Sequence, residues 1–558
     1  MQESELTNAS TENASDQPGT GGRRLAPVIM ALVGLLLAFH PTLASGFERL
    51  QIRSGDPSLV HYILEHSWQW IRGSELSSSF WSPPCYAPFA NVSAHSDVML
   101  GAAPGYWVWR MLGLAPGLSF QLWMMLSLTL SFVGGHLFLR RHVGASPWAA
   151  AVGACLIGFG SSRLANFNSP QLFAIYPSIF ALYFLGNALS ATQTGRRRLS
   201  SRWLLAFFAA VTAQAWSAFY PAFFFAIVSV AACAAALLVR DARGAVIALL
   251  RSQVVALGIG LAVTAAALIP LATHHLDAAQ NAGLREWPEV ARALPTWASW
   301  LYTGSDHWLY GALAQVEAFR FTSAQSQHAN GAGWVTTLLA LTAFWRMRHV
   351  PVLRVMGLTT LLCVVVTTRW GEAGSLWQIA YDHVPGAGAM RYLARLGNFL
   401  VIPAGIGVAL CLDQLRERRG WPLAIALAAI CVVEQGHTQR SRDEQQYRGY
   451  IERVASAVPS DAPAFLLTVT GGTPGNPRIA DSYRRQIHLL AMWAAWEIGV
   501  PTVNGFYGLD PKGWLFCVSN ASNQRQLQLL GNACATQAPA GTVHIRLSSE
   551  EVPFDGLQ

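Results

Sequence analysis

The stretch that decides the fold class is Ala26–Leu43, with the sequence APVIMALVGLLLAFHPTL, followed by the polar segment ASGFERLQIRSGDP. A membrane helix needs ~20 mostly apolar residues to cross ~30 Å of hydrocarbon, and basic residues collect on its cytoplasmic side. Arg23 and Arg24 precede the apolar run, so the polar segment is expected to emerge on the outer side. Its acidic residues are Glu48 and Asp56. The run is longer than the ~7–15 residue core of a signal peptide, which favours an uncleaved first helix.

The composition of the whole chain indicates the same class of protein. Of its 558 residues, 52% are hydrophobic and only 12% are charged, whereas charged residues make up about 25% of soluble domains. The sequence therefore predicts an α-helical polytopic membrane protein. The formal net charge of +8 is explained by arginines at membrane edges and gives no reason to expect a nucleic-acid partner.

The positions of the arginine clusters predict the topology. Arg23 and Arg24 are assigned to the cytoplasmic side. The arginine clusters that follow the second, fourth, sixth, eighth and tenth apolar spans then also lie on the cytoplasmic side, which gives about eleven spans in total. These clusters are Arg140-Arg141, Arg196-Arg197-Arg198, Arg240 with Arg243, Arg346 with Arg348, and Arg416 to Arg419. The predicted organisation is a disordered cytoplasmic N-terminus (1–24), a transmembrane domain (25–436) with outer loops at 45–117 and 273–333, and a periplasmic C-terminal domain (437–558).

The outer segments predict smaller structural elements. Pro57–Ile71 has apolar residues at helical spacing, and Val98–Leu114 is apolar but short and broken by proline and glycine, so both are expected to be interfacial helices at the membrane surface. The C-terminal region reads as a small α/β domain with a helix near Tyr447–Val458 and a strand near Ala464–Val469. A turn is expected at Gly471–Gly475.

The eight cysteines give little information about function. Five of them lie inside apolar spans and read as small core residues. Cys517 and Cys534 lie close together in the polar C-terminal region, where an oxidising compartment would allow a disulfide between them.

Asp56 and Asp97 are the candidate catalytic carboxylates of the first outer loop. Asp56 stands between Gly55 and Pro57, so its other interpretation is the N-cap of the helix that begins at Pro57. Asp97 is likewise a possible N-cap.

Three histidines accompany these carboxylates in the same loop and are candidate substrate-binding residues. They are His61, His66 and His95. Carboxylate and imidazole groups together are suited to a divalent cation, although the loop has no fixed metal-ligand spacing.

Two further groups of candidate substrate-binding residues lie outside the first loop. His274 and His275 follow the seventh span, next to a tryptophan-rich run that reads either as an interfacial aromatic belt or as a groove for a lipid or sugar ring. Arg391 and Arg395 precede the tenth span on the outer side, where the positive-inside bias does not require them. Two neighbouring guanidinium groups are suited to a phosphate.

Several short motifs together carry a resemblance to a known family. They are Gly55-Asp56-Pro57, His61-Tyr62-Ile63-Leu64-Glu65-His66, Phe80-Trp81-Ser82-Pro83-Pro84, Ser96-Asp97, Arg391 with Arg395, and Pro501-Thr502-Val503-Asn504-Gly505-Phe506-Tyr507-Gly508. With an acidic first outer loop and ten or more spans, the chain resembles the glycosyltransferase-C superfamily of integral membrane enzymes. More narrowly, these motifs are similar to a bacterial branch related to YfhO-type membrane proteins.

The resemblance implies a sugar donor carried on a polyprenyl phosphate and a base from the first outer loop. That base would be Asp56. Many branches of the superfamily have a pair of adjacent acidic residues in this loop, and this chain has Asp56 without an acidic neighbour. The departure leaves the need for a metal ion open.

The sequence therefore predicts an inverting glycosyltransferase at the outer face of a bacterial inner membrane. Its partners would be a polyprenyl-phosphate sugar, the lipid bilayer, and a glycan, lipid or protein acceptor. The alternatives are a transporter or lipid-handling protein without covalent chemistry, and a scaffold. A transporter would place ionisable residues within its spans and show two related halves, and the sequence has few charges within spans and no visible repeat.

Overall fold

The computed structural model describes residues 20–282, 285–321, 325–371, 374–470, 477–511, 514 and 538–553. In these residues, six helices are long and apolar enough to cross a membrane. They are Leu25–Ala44, Pro116–Val143, Pro170–Gln193, Phe219–Leu238, Val254–Gln280 and Leu393–Arg419. These segments contain the predicted first, second, fourth, sixth, seventh and tenth spans, so the prediction of a mainly helical membrane protein is confirmed.

The helices and strands are numbered along the chain. The helices of the first half are α1 (Thr20–Ala44), α2 (Asp56–Ile71), α3 (Pro104–Met111), α4 (Pro116–Phe138), α5 (Pro147–Phe159), α6 (Ser161–Leu164), α7 (Tyr176–Gln193), α8 (Arg197–Ser217) and α9 (Phe219–Leu238). Those of the second half are α10 (Arg240–Ser252), α11 (Val254–Ala282), α12 (Trp287–Ala293), α13 (Trp334–Arg346), α14 (Pro351–Thr367), α15 (Trp377–His383), α16 (Gly397–Arg419), α17 (Trp421–Val433), α18 (Glu444–Ser456) and α19 (Pro477–Ile498). The strands are β1 (Arg49–Leu50), β2 (Arg442–Asp443), β3 (Phe465–Thr470) and β4 (Val543–Ser548).

The other predicted spans are also helical, but they are shorter or more polar. They correspond to α5, α8, α13, α14 and α17, of which α5, α13 and α17 have 13 residues each. A helix of 13 residues is about 20 Å long at 1.5 Å per residue, less than the ~30 Å of a bilayer core. The total of about eleven crossings therefore stays a prediction.

The first outer loop differs from the sequence prediction in one respect. α2 does not lie on the surface, because its residues from Pro57 to Trp68 are all buried. The apolar spacing that suggested an interfacial helix instead reflects burial within the protein, where His61 of α2 contacts both Phe120 of α4 and Trp493 of the C-terminal domain. α3 has eight residues and exposes Val108 and Met111. It is too short to cross a membrane, as the sequence predicted.

A buried ion pair joins α2 to α3. Arg110 donates from Nε to Oε2 of Glu65 at 2.9 Å and from Nη2 to Oε1 at 3.1 Å. The Tyr106 hydroxyl donates to the same carboxylate at 2.5 Å. Glu65 is almost fully buried, so this network fixes the helix that begins at Asp56 against α3.

The C-terminal domain contains α18, β3, α19 and β4, with β3 and β4 paired in parallel. The predicted helix near Tyr447–Val458 and the predicted strand near Ala464–Val469 are confirmed by α18 and β3. The turn at Gly471–Gly475 and the pair Cys517 and Cys534 lie outside the described residues.

Two contacts join the C-terminal domain to the first outer loop. β1 pairs with β2 in an antiparallel manner. The segment that begins at Pro501 runs beside Pro84, since the backbone N–H of Thr502 donates to the Pro84 carbonyl at 3.1 Å and that of Tyr86 donates to the Asn504 carbonyl at 3.0 Å. The first outer loop and the C-terminal domain are therefore joined by backbone hydrogen bonds between segments far apart in the sequence.

Candidate functional site

A polar cluster forms where several connections between helices meet. The Ser169 hydroxyl lies 3.4 Å from Oδ2 of Asp56, and Nε2 of Gln171 lies 3.5 Å from the same oxygen. Nη2 of Arg395 donates to the Ser169 oxygen at 2.9 Å. A single hydroxyl therefore links the candidate base to a guanidinium from the start of α16.

The local chain conformation explains the position of Asp56. Gly55 occupies the N-cap position with φ of 111°, a left-handed backbone conformation that residues with a Cβ adopt at a cost. Asp56 is the first residue of α2, and the N-terminus has no side-chain cap hydrogen bond. The capping interpretation of Asp56 is therefore wrong for this helix. Its carboxylate still benefits from the positive end of the helix dipole.

Arg395 is the most enclosed charge of the cluster. It is 5% exposed, and Nε donates to Oε1 of Gln327 at 2.7 Å. Its guanidinium also lies 5.2 Å from the ring centres of both Tyr220 and Tyr392. Within the described ranges, Arg395 forms no ion pair with a carboxylate.

Arg391 has a different environment. Nε of Arg391 lies 3.1 Å from Oε1 of Glu289, and its side chain is 39% exposed. Its guanidinium lies 4.8 Å from the ring centre of Tyr392. Arg391 precedes the 3₁₀ helix that begins at Leu393 and contains Arg395, so the two arginines do not share one helix. Both guanidinium groups contact the Tyr392 ring.

Asp97 shares the electrostatic environment of this cluster. Its Oδ1 accepts a hydrogen bond from the backbone N–H of Phe219 at 2.5 Å. Burial raises the pKa of Asp97 to about 6, and the charge of Asp56 acts in the same direction. The Phe219 N–H and the charge of Arg395 oppose this rise in pKa. Asp56, Asp97 and Arg395 therefore lie close enough to influence one another.

His61 and His66 lie in the interior and have packing roles. The His61 ring stacks 4.9 Å from Phe120 and lies 4.4 Å from Trp493. His66 bonds through Nε2 to the Phe80 carbonyl at 2.8 Å, and burial lowers its pKa to about 4. Both side chains are buried, and none of their described hydrogen bonds involves the polar cluster.

The remaining candidate histidines form a separate group. The His274 ring stacks on Trp81 at 3.8 Å, and its Nδ1 lies 2.7 Å from Oδ1 of Asn91. Nδ1 of His95 lies 3.1 Å from the Leu509 carbonyl. His275 lies beside the backbone of Ala94 in the first outer loop. These contacts join the end of α11 and the C-terminal domain to the first outer loop.

A metal site is not found in the described part of the chain. No group of three or more His, Cys, Asp or Glu side chains there could hold a metal ion.

Sequence reasoning missed several members of the polar cluster. They are Ser169, Gln171, Tyr220, Gln327 and Tyr392. The sequence does contain a signal for Ser169 and Gln171. They belong to a polar run on the predicted outer side, Asn166-Phe167-Asn168-Ser169-Pro170-Gln171. The others are single uncharged residues whose position depends on the packing of distant segments.

No protein-family model and no curated protein sequence matches the chain. Among solved structures, it is similar to the archaeal oligosaccharyltransferase AglB from Archaeoglobus fulgidus in complex with an inhibitory peptide and a dolichol-phosphate (12% identity, TM-score 0.47, 92% of this chain and 68% of that chain). It is also similar to the apo form of the Archaeoglobus fulgidus oligosaccharyltransferase (12% identity, TM-score 0.48, 92% and 69%). A third similar structure is the arabinofuranosyltransferase AftD from Mycobacteria (11% identity, TM-score 0.45, 82% and 31%). At identities of 11–12%, function has to be argued from the side chains of this chain.

Proposed function

We propose that the chain is a membrane glycosyltransferase that moves a sugar from a polyprenyl-phosphate donor to an acceptor at the outer face of a bacterial inner membrane. The observation that carries the proposal is the link from Asp56 through the Ser169 hydroxyl to Arg395, with contacts of 3.4 Å and 2.9 Å. It combines a carboxylate that can accept a proton with an enclosed guanidinium that can hold a phosphate. The resemblance of the sequence to the glycosyltransferase-C superfamily agrees with this pairing.

The reaction follows from the roles of these two groups. An acceptor hydroxyl loses its proton to the Asp56 carboxylate while its oxygen attacks the anomeric carbon of the donor sugar. A new C–O bond forms as the bond from that carbon to the phosphate oxygen breaks. The polyprenyl phosphate leaves with the electron pair, and the guanidinium of Arg395 stabilises the added negative charge. Attack opposite the leaving group inverts the configuration of the sugar.

The other two charged residues have supporting roles in this proposal. Asp97 is fixed by the Phe219 N–H at 2.5 Å and is a second carboxylate beside the reacting sugar. Arg391 is paired with Glu289 at 3.1 Å, so it contributes to the attraction of the donor at the edge of the cluster. Arg395 makes the main contact with phosphate.

The location of the cluster supports a donor with a lipid anchor. The connections before α2, between α6 and α7, and before α16 all contribute to the cluster. The arginine clusters of the sequence lie at the opposite ends of α4, α7 and α16, which the positive-inside bias assigns to the cytoplasm. The cluster and the C-terminal domain are therefore proposed to face the periplasm, where the donor's phosphate would lie at the membrane surface.

The test is the substitution Asp56→Asn in the purified full-length protein. Asparagine keeps the size of the side chain but cannot accept a proton at neutral pH, so turnover should fall by about 10²-fold or more. Release of polyprenyl phosphate is measured from a panel of polyprenyl-phosphate hexoses and pentoses in the presence of a cell-envelope glycan fraction. Asp461→Asn, at an exposed position of the C-terminal domain, is the matched control and should retain full turnover. An Asp56→Asn variant with most of its activity would refute Asp56 as the base.

A further inference from the structure

A small cleft lies beside the polar cluster and has no role in the proposal above. Its cavity volume is about 40 Å³, and it is lined by residues of the first outer loop, the α6–α7 connection, the second outer loop and the segment after α17. Its charged lining residues are Arg53, Asp306 and Arg440, and its other polar lining residues are Gln51, Asn168, His437, Thr438 and Gln439.

The two arginines of this cleft repel each other. Burial lowers the pKa of Arg53, the positive charge of Arg440 lowers it further, and Asp306 opposes the effect. Nη1 of Arg53 donates to the neutral Asn168 Oδ1 at 3.2 Å. In the part of the chain that the structure describes, neither arginine forms an ion pair. The effect of Arg440 on Arg53 is larger than that of Asp306, so the carboxylate offsets only part of the repulsion, and an anion bound beside the two arginines would stabilise both charges.

The cleft is connected to the candidate base by short lengths of chain. Arg53 lies three residues before Asp56, and its carbonyl accepts a hydrogen bond from the Ser58 hydroxyl at 2.9 Å. Asn168, which contacts Arg53, immediately precedes Ser169 of the cluster. The lining of the cleft therefore includes the residue directly before Ser169, whose hydroxyl lies 3.4 Å from Oδ2 of Asp56.

We propose that this cleft binds a negatively charged group of the acceptor, a phosphate or a carboxylate, and so presents the acceptor hydroxyl to Asp56. The inference rests on the proposed glycosyl transfer. The cleft is large enough for a small anionic group. One water molecule needs ~10–15 Å³ of cavity volume, and the cleft has about 40 Å³. A sugar ring is larger and would remain outside, towards Asp56.

The first experiment measures anion binding and does not depend on enzymatic activity. The full-length protein is placed in phosphatidylcholine nanodiscs with the substitution Arg395→Gln, which removes the donor-side guanidinium, and binding of radiolabelled inorganic phosphate is measured by equilibrium dialysis. Adding Arg440→Gln should weaken binding by about tenfold, the effect of losing one charge-assisted hydrogen bond. Arg418→Gln makes the same change in charge at an exposed position at the far end of α16 and should leave binding unchanged. Equal phosphate affinity in all these proteins would overturn the proposal.

Arg440 is exposed, so its substitution should leave the fold intact. Arg53→Gln is the second variant, and its phosphate affinity should fall in the same way. Adding phosphatidylglycerol to the nanodiscs distinguishes the sources of the anion. If phosphatidylglycerol competes with phosphate, the bound anion comes from a lipid headgroup. If it does not compete, the anion belongs to a soluble acceptor.

The second experiment measures transfer in the otherwise unchanged protein. Envelope acceptors are compared before and after phosphatase treatment or carboxyl reduction. Arg440→Gln should lower kcat/KM about tenfold for the charged acceptor, the same factor as for phosphate binding, and leave the neutral acceptor unaffected. Equal losses for both acceptors would refute an anion subsite. If the proposed transferase activity fails altogether, the phosphate-binding experiment still decides whether the cleft is an anion site.

Discussion

The substitution Arg395→Ala tests the phosphate-binding role most directly. The side chain makes hydrogen bonds of 2.7 Å to Gln327 and 2.9 Å to Ser169 and lies 5.2 Å from two tyrosine ring centres. None of these partners carries a formal negative charge. The positive charge of Arg395 is therefore available for an anionic ligand.

The expected losses differ for the two possible roles of Arg395. A hydrogen bond between charged groups contributes about 1.5–3 kcal/mol, so loss of the phosphate contact should weaken donor binding by about ten- to a hundredfold. Loss of the hydrogen bonds to Gln327 and Ser169, which the charged guanidinium donates, should lower the free energy of unfolding by about 1.5–3 kcal/mol for each bond. A purely structural arginine would give the loss of stability without the specific loss of donor affinity.

The assay compares two ligands with the same lipid chain. Binding of a polyprenyl-phosphate sugar and of the uncharged polyprenol is measured in nanodiscs for the wild type, Arg395→Ala and Arg391→Ala. Arg395→Ala should affect the phosphate ligand alone. Arg391→Ala should have a smaller effect, because its side chain is 39% exposed, so that solvent screens its charge, and it is also paired with Glu289 at 3.1 Å.

Unchanged affinity of folded Arg395→Ala for the polyprenyl-phosphate sugar would refute this reasoning. Equal losses for the phosphate ligand and the polyprenol would also refute it, because they would indicate a change in the lipid groove. Arg395→Lys keeps the charge without the planar fork of donors and should restore part of the affinity.

Three further predictions follow from other parts of the structure. Glu65→Ala should destabilise the protein by about 3 kcal/mol, measured by chemical unfolding in detergent, because it removes the buried acceptor of the Tyr106 hydroxyl and the carboxylate partner of Arg110, whose side chain is only 15% exposed. A change below ~1 kcal/mol would contradict this. Burial raises the folded-state pKa of Asp97 from 3.8 to about 6, so its contribution to stability is present at low pH and is lost as the pH rises through 6. The free energy of unfolding should fall between pH 4 and pH 7 by more in the wild type than in Asp97→Asn. Parallel pH profiles of the two proteins would contradict the burial of the carboxyl. Reporter fusions after Leu189 should read cytoplasmic and fusions after Ala272 should read periplasmic; a reversed pair would contradict the predicted topology.

Much of the architecture could be predicted from the sequence because membrane helices depend on local properties. A window of ~20 apolar residues is recognisable without knowing its neighbours. The prediction of an interfacial helix was wrong for α2. A helix on a membrane surface and a helix buried by a distant domain have the same apolar spacing in the sequence. Only the structure shows that residues near Trp493 cover His61.

The candidate site could be predicted in part for a similar reason. Asp56 and Arg395 stood out because charged residues are rare in this chain and cost energy near a membrane. Ser169 did not stand out, since a single serine in a connection has no distinctive local pattern. Its role follows from two contacts with residues more than 100 positions away in either direction.

The hydrogen bond from the Phe219 N–H to Asp97 has a consequence for interpreting relatives of this chain. Phe219 is the first residue of α9, so Asp97 satisfies an amide at the start of a membrane helix from 122 residues away. A descendant that had lost all enzymatic activity would still be under selection to keep an acceptor at this position in order to fold. Retention of Asp97 in such sequences would therefore be poor evidence of catalysis. Replacement of Asp56 would be the better sign that a lineage no longer catalyses the reaction.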